Sequence, residues 1–267
     1  MQSASIAGFD SKLEMIINFE LNPPKLVKDE HFDLMTLRKD ILQLVERAKK
    51  LVGYVDGIHL TDSVLGIPRV SSITAANFII RNIPNHPALS CSVRTRDRNF
   101  TSICQFVSDA VLLGVESLLF LMGDEPSDGP KDSGLKPSDA LKMLRLESYH
   151  ESINLDLTVP SSVTRPSSIL KKLNAQPRAF VTQSISSLSD LDNITQIAKS
   201  NKIKVVACIM VPSDKNKFSA ETIGLDWKEY EKNPIDYVLE AGKIADEVTL
   251  TSPSSFSEGL EFLKQLR

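Results

Sequence analysis

The sequence predicts a single (β/α)8 barrel spanning residues 1–267, on three observations. Short apolar runs alternate with amphipathic stretches about eight times along the chain. The length of 267 residues suits one barrel of about 250 residues. No Pro/Gly/Ser-rich linker divides the chain. A doubly wound open sheet is the competing architecture, and it calls for a Gly-rich turn after the first strand. Here that turn reads Glu20-Leu21-Asn22-Pro23-Pro24, and the chain has only 11 Gly.

The elements follow in order. Residues 15–19 are an apolar run with β-branched Ile16 and Ile17, stopped by the two prolines. Leu34, Leu37, Ile41, Leu44, Val45, Ala48 and Leu51 recur on one helical face, and Gly53 is placed to end that helix. Further strands are predicted at 54–60, 88–93, 117–122, 155–159, 178–182, 203–211 and 247–251. Helices are predicted at 71–81, 102–113, 138–149, 166–174, 188–198, 234–243 and 254–266. The run 203–211 is continuous rather than alternating, as when both strand faces are buried. Residues 213–227 read as a polar loop whose Trp227 is either a lid anchor or core.

Composition narrows the function classes. The net charge is −3, hydrophobic residues make up 42 % and charged residues 24 %, ordinary values for a soluble domain. Lys49-Lys50 and Lys171-Lys172 are isolated basic pairs and aromatics reach only 6 %, so neither a phosphate stripe nor a base-stacking platform is expected. The longest apolar run falls far short of the ~20 residues a bilayer needs. Residues 1–9 carry no basic cluster, so no signal peptide is expected and the chain reads as cytoplasmic. Cys91, Cys104 and Cys208 are widely spaced, and the four His show no ligand spacing. Buried free thiols and no metal site are the expectation.

In a barrel of this kind, chemistry sits at the C-terminal ends of the strands. Polar groups directly after apolar runs are Glu20, His59-Leu60-Thr61-Asp62-Ser63, Arg94 to Asn99, Gly123-Asp124 and Thr182-Gln183. Each also has a structural alternative. Glu20 can pair with Lys25 on the rim, and Arg96-Asp97-Arg98 can be a solvated ion cluster. Asp124 can be a turn residue and Gln183 a backbone cap. His59 can be a core histidine.

Five ordered segments carry a resemblance. Phe19-Glu20-Leu21-Asn22-Pro23-Pro24-Lys25, His59-Leu60-Thr61-Asp62, Arg96-Asp97-Arg98-Asn99, Leu121-Met122-Gly123-Asp124-Glu125-Pro126 and Val181-Thr182-Gln183 resemble, in order and spacing, the methylenetetrahydrofolate reductases over about residues 15–210. The resemblance implies an FAD-dependent barrel that reduces 5,10-methylene-tetrahydropterin to its 5-methyl form, with NAD(P)H or another reduced carrier as electron donor. It implies Glu20 as general acid, Asp124 as the carboxylate beside flavin and pterin, and Gln183 as the pterin-orienting amide. It implies cofactor contacts from His59, Thr61, Arg96, Asp97, Asn99, Gly123, Asp124 and Lys172. The implied partner is a folate or related pterin, with a homo-oligomer or a reductase subunit as protein partner. The departures lie on the cofactor side. Met122 stands where family members carry Arg, Ser92 is near the position of a family His, and 159–165 lacks aromatics. Arg94, Arg96, Arg98 or Arg165 would have to supply pyrophosphate contacts instead. The rival readings are a flavin-independent C1 transferase and a non-catalytic barrel subunit.

Overall fold

Every apolar run becomes a strand, and each strand pairs in parallel with its sequence neighbours. The computed structural model describes residues 15–27, 31–126, 132–163 and 165–267. It contains β1 (Ile16–Leu21), β2 (Gly57–Leu60), β3 (Ala88–Arg94), β4 (Ser117–Leu121), β5 (Asn154–Val159), β6 (Ala179–Thr182), β7 (Lys204–Met210) and β8 (Glu247–Thr251). These close in chain order into a barrel, with Ile16 of β1 opposite Glu247 and Phe19 opposite Leu250 of β8. The helices outside are α1 (Leu34–Leu51), α2 (Ser72–Asn82), α3 (Phe100–Leu113), α4 (Pro137–Leu146), α5 (Leu170–Leu173), α6 (Leu188–Lys199), α7 (Lys217–Thr222), α8 (Pro234–Ile244) and α9 (Phe256–Leu266).

The two side-chain periodicities of the sequence meet in the layer between barrel and helices. Ile17, Phe19 and Leu21 are buried there, and Phe19 meets Phe256 of α9 edge-on, with ring centroids 6.0 Å apart. The stripe predicted for α1 is buried through Ile41, Leu44, Val45, Ala48 and Leu51, and Asp33 caps its N-terminus through the amides of Met35 and Thr36. Among the described residues no helix is long and apolar enough to cross a membrane.

Four predicted elements differ from those observed. β2 begins at Gly57 rather than residue 54, because the amides of Tyr54 and Val55 are still bonded to the Leu51 carbonyl in the turn that ends α1. The helix expected at 138–149 stops at Leu146, and Ser148 takes φ +62 before one 3-10 turn at Tyr149–Glu151. Residues 166–174 divide into a 3-10 turn, Pro166–Ile169, and the single turn α5. Residues 213–227 are not loop throughout, since they include α7. Trp227 packs against the core. Just after it, Tyr230 donates to the Met210 carbonyl at 3.0 Å and stacks on Tyr237 at 4.4 Å, which fastens this segment to the end of β7. Residues 1–9, read for a leader, lie outside the described residues.

Candidate active site at the barrel mouth

Strand alternation turns Asn18 and Glu20 of β1 into the barrel, opposite in direction to Ile17, Phe19 and Leu21. Glu20 Oε1 accepts a hydrogen bond from Thr251 Oγ1 of β8 at 2.8 Å, and it does not pair with Lys25. Burial raises its pKa above the ordinary carboxylate value, and the Thr251 bond opposes this only in part. Glu20 is among the residues that line two small cavities. One, of about 120 Å³, lies inside the barrel and is also lined by Asn18, His59, Cys208, Glu247 and Thr249. The other, of about 70 Å³, leads outward between β1 and the end of β8 past Asn22, Arg47 and Pro253. Burial, reinforced by the Glu20 charge, pushes the Cys208 thiol up to about 12, so it is inert as a nucleophile at neutral pH.

His59 also points inward. Its ring nitrogens lie 2.8 Å from Ser90 Oγ and 2.9 Å from Ser92 Oγ on β3, so one nitrogen donates and the other accepts. Burial lowers its pKa to about 4, which leaves a neutral imidazole fixed in the wall between β2 and β3. Lower in the barrel, Arg178 binds both carboxylate oxygens of Asp156 at 2.8 and 2.7 Å and reaches Glu247 at 2.9 Å, while Asn18 donates to Glu247 at 3.1 Å. Burial disfavours the Arg178 charge, yet the two carboxylates outweigh it and hold the guanidinium ionised.

At the mouth, the arginines of the β3 end fasten loops to one another. Arg94 is 1 % exposed. Its Nη1 donates to the Ser63 carbonyl at 2.6 Å and its Nη2 to the Asp124 carbonyl at 2.9 Å, with Asp97 at 3.4 Å from Nε. Arg96 donates to the Gly123 carbonyl at 2.9 Å. Arg98 donates to the Arg94 carbonyl at 3.1 Å and pairs with buried Asp62 at 2.8 Å. Asp124 is exposed, and its carboxylate accepts from the Leu65 amide at 2.7 Å. The β2 loop approaches so closely that a Cβ on Gly66 would overlap the Glu125 carbonyl. Ser63 and Leu65 are held at φ +45 and +59, non-glycine residues in the left-handed region.

The residues assigned by resemblance thus fall into separate groups. Glu20, Asp124 and Gln183 follow β1, β4 and β6 on the same face of the barrel. Gln183 is exposed, with its backbone N–H bonded to the Val159 carbonyl, and neither cavity lined by Glu20 reaches it or Asp124. Thr61 donates to Asn22 Oδ1 at 2.6 Å. Asn99 caps α3 by accepting from the Ser102 amide. Lys172 donates to the Thr158 carbonyl at 2.6 Å, and burial lowers its pKa. These partners bear on FAD directly. A pyrophosphate needs cations or free amides turned toward it, whereas Arg94, Arg96, Arg98 and Lys172 all point at backbone carbonyls and His59 is neutral within the wall. As arranged, these residues do not fit the phosphates of FAD, and of the four arginines considered for that contact Arg165 alone is exposed.

Sequence reasoning passed over Thr251 and the Arg178–Asp156–Glu247 cluster. A signal existed for the cluster: Asp156 interrupts an apolar strand, and an acid there needs a buried partner. Nothing local marks Thr251 as the partner of Glu20, 231 positions away. Among the described residues no group of His, Cys, Asp and Glu is arranged to hold a metal ion.

The chain is a (β/α)8-barrel protein, and comparison with known proteins agrees on that class. No family model matches the chain, and no curated protein matches it by sequence. Similar solved structures include a ligand-free tryptophan synthase from M. tuberculosis, at 15 % identity and TM-score 0.53, covering 94 % of this chain and 90 % of that one. Another is QR15, an aldolase, at 14 % identity and TM-score 0.55, covering 93 % and 94 %. A third is tryptophan synthase from Pyrococcus furiosus, at 12 % identity and TM-score 0.55, covering 94 % and 95 %. These neighbours are enzymes, and at such identities the likeness shows the fold alone.

Proposed function

We propose that this barrel is a reductase of a methylene-tetrahydropterin, with Glu20 as the proton donor. The observation that carries the reading is the Glu20 carboxyl itself: inside the barrel below the mouth, held by Thr251, with burial favouring its protonated form. Opening the methylene bridge breaks a carbon–nitrogen bond, and the departing nitrogen takes the bonding pair together with a proton. An acid with a raised pKa supplies that proton near neutral pH. The iminium carbon left behind accepts a hydride from a reduced carrier to become a methyl group, and Glu20 regains its proton from water. The two cavities beside Glu20 admit water or one edge of a substrate, so the bicyclic ring lies across the mouth, where Asp124 and Gln183 are exposed. The hydride donor is NAD(P)H or a reduced flavin that does not depend on the arginines of the β3 end.

The aldolase likeness supports a lyase reading less well. A Schiff-base mechanism needs an amine at the reacting carbon, and the lysine carried on a strand, Lys204, is exposed at the start of β7.

The test is Glu20→Gln, assayed with methylene-tetrahydrofolate and its methanopterin counterpart, each with NADH, NADPH and reduced flavin. Loss of a general acid is expected to lower turnover roughly 10²–10⁴-fold while the fold persists. Wild-type turnover in the variant, or no reduction of either pterin by the wild-type protein, overturns the proposal.

A further inference from the structure

The arginines of the β3 end each have a carboxylate partner, yet a different set of cations has none among the described residues. On the outer side of the mouth, a groove of about 520 Å³ runs between the segment after β1 and helix α1. Lys25, Arg47 and Arg69 line it, together with Asn22, Gln43 and one carboxylate, Asp40. Among the described residues none of the three cations has a carboxylate within ion-pair distance, whereas Arg94, Arg96, Arg98 and Arg178 each do. Arg69 donates from Nη1 to the Pro23 carbonyl at 2.7 Å, its Nε is buried without a partner, and burial lowers its pKa because no counter-charge compensates. Arg47 lies over the Phe256 ring at 5.7 Å, a contact that fixes the side chain without neutralising it.

The groove is not isolated. Asn22, Arg47 and Pro253 line both it and the small cavity that ends at Glu20. A molecule whose reacting end meets Glu20 has this groove as its neighbour along β1, with three cations that have no carboxylate partner among the described residues. We infer that this groove binds the multiply charged anionic tail of the molecule that reacts at Glu20, through carboxylates or phosphates. Guanidinium groups suit either anion, since their paired donors match two oxygens at once. The inference rests on the proposed pterin chemistry for what sits at Glu20, but the anion site itself does not need that chemistry.

The experiment therefore measures binding without turnover. Purified full-length protein is titrated calorimetrically with inorganic tripolyphosphate and, separately, with a γ-linked triglutamate. Arg47→Gln and Lys25→Ala are titrated alongside, with circular dichroism to show that each is folded. At least one anion is expected to bind, more weakly as salt rises. Loss of one charge-assisted contact is expected to weaken it roughly tenfold or more. The tighter probe identifies the tail as phosphate or carboxylate. Absence of binding by both anions at millimolar concentration overturns the inference, as does binding that neither substitution alters, which is an adventitious site. Should Arg47→Gln fail to fold, Lys25→Glu takes its place with the same expected loss. Failure here with Glu20-dependent pterin reduction intact removes the groove and leaves the function. Intact anion binding without pterin reduction does the reverse.

Discussion

Replacing Arg94 by Met tests whether one buried guanidinium holds three loops of the mouth together. The side chain is 1 % exposed and donates to the carbonyls of Ser63 at 2.6 Å and Asp124 at 2.9 Å. Two such charge-assisted bonds contribute about 1.5–3 kcal/mol each. The Asp97 contact at 3.4 Å, to a side chain 43 % exposed, adds at most about 1 kcal/mol. Methionine keeps the aliphatic packing and avoids burying a charge, which returns about 1–2 kcal/mol. The net expectation is a loss of about 3 kcal/mol. With an unfolding entropy of about 2.1 cal/mol/K per residue, that loss lowers the Tm by roughly 5 °C. Urea unfolding measures the first number and calorimetry the second. Hydrogen exchange supplies the local readout, because the Leu65 amide is protected by Asp124, whose backbone Arg94 holds. Its exchange should quicken more than that of strand amides. A stability change below about 0.5 kcal/mol, the range of ordinary surface substitutions, with unchanged Leu65 exchange, would refute the reasoning. Gly123 belongs to the same assembly, at φ +82 with its Cα against the Arg94 side chain.

Two further outcomes follow from the buried charges. Glu20 holds its proton more tightly folded than unfolded, so wild-type stability declines as pH rises from the unfolded carboxyl's range up through the folded pKa, and below the unfolded pKa there is no such penalty. Glu20→Gln lacks that decline, so its unfolding free energy from urea titration, relative to wild type, should rise between pH 5 and pH 8, by about 1.4 kcal/mol for each tenfold difference in proton affinity. A parallel pair of curves would show that the carboxyl is not desolvated. Arg178→Met leaves Asp156 buried without its bidentate partner, a loss of about 3–5 kcal/mol. The variant should recover part of that at low pH, where Asp156 protonates, and equal loss at pH 5 and pH 8 would contradict the assignment.

The order of the elements was legible in the chain because a parallel barrel demands continuous apolar runs and amphipathic helices in strict alternation, and both are local patterns. Gly53, read from the sequence as the end of that helix, follows α1 at φ +85 for the same reason, whereas the Asp33 cap was seen only in the structure. The misplaced boundaries differ in cause: Tyr54 and Val55 stay in the turn that ends α1, whereas α7 lies in a segment held to the core through Trp227 and Tyr230. Glu20 was legible as a polar group at a strand end. What it touches was not, since Thr251 reaches it only because the barrel closes β8 onto β1.

By itself, then, the sequence determined the repeating strand–helix period and the placement of polar residues after each strand, because hydrophobic periodicity and helix capping act within a few residues. Which cations meet a carboxylate and which, among the described residues, do not was decided by the tertiary structure. Arg94, Arg96 and Arg98 read as ligand-binding residues in the chain, and loop crossings turned them into fasteners. Lys25, Arg47 and Arg69, 44 positions apart end to end, became neighbours along one groove. Whether a charge meets a partner depends on distance in space, which only the closed barrel sets.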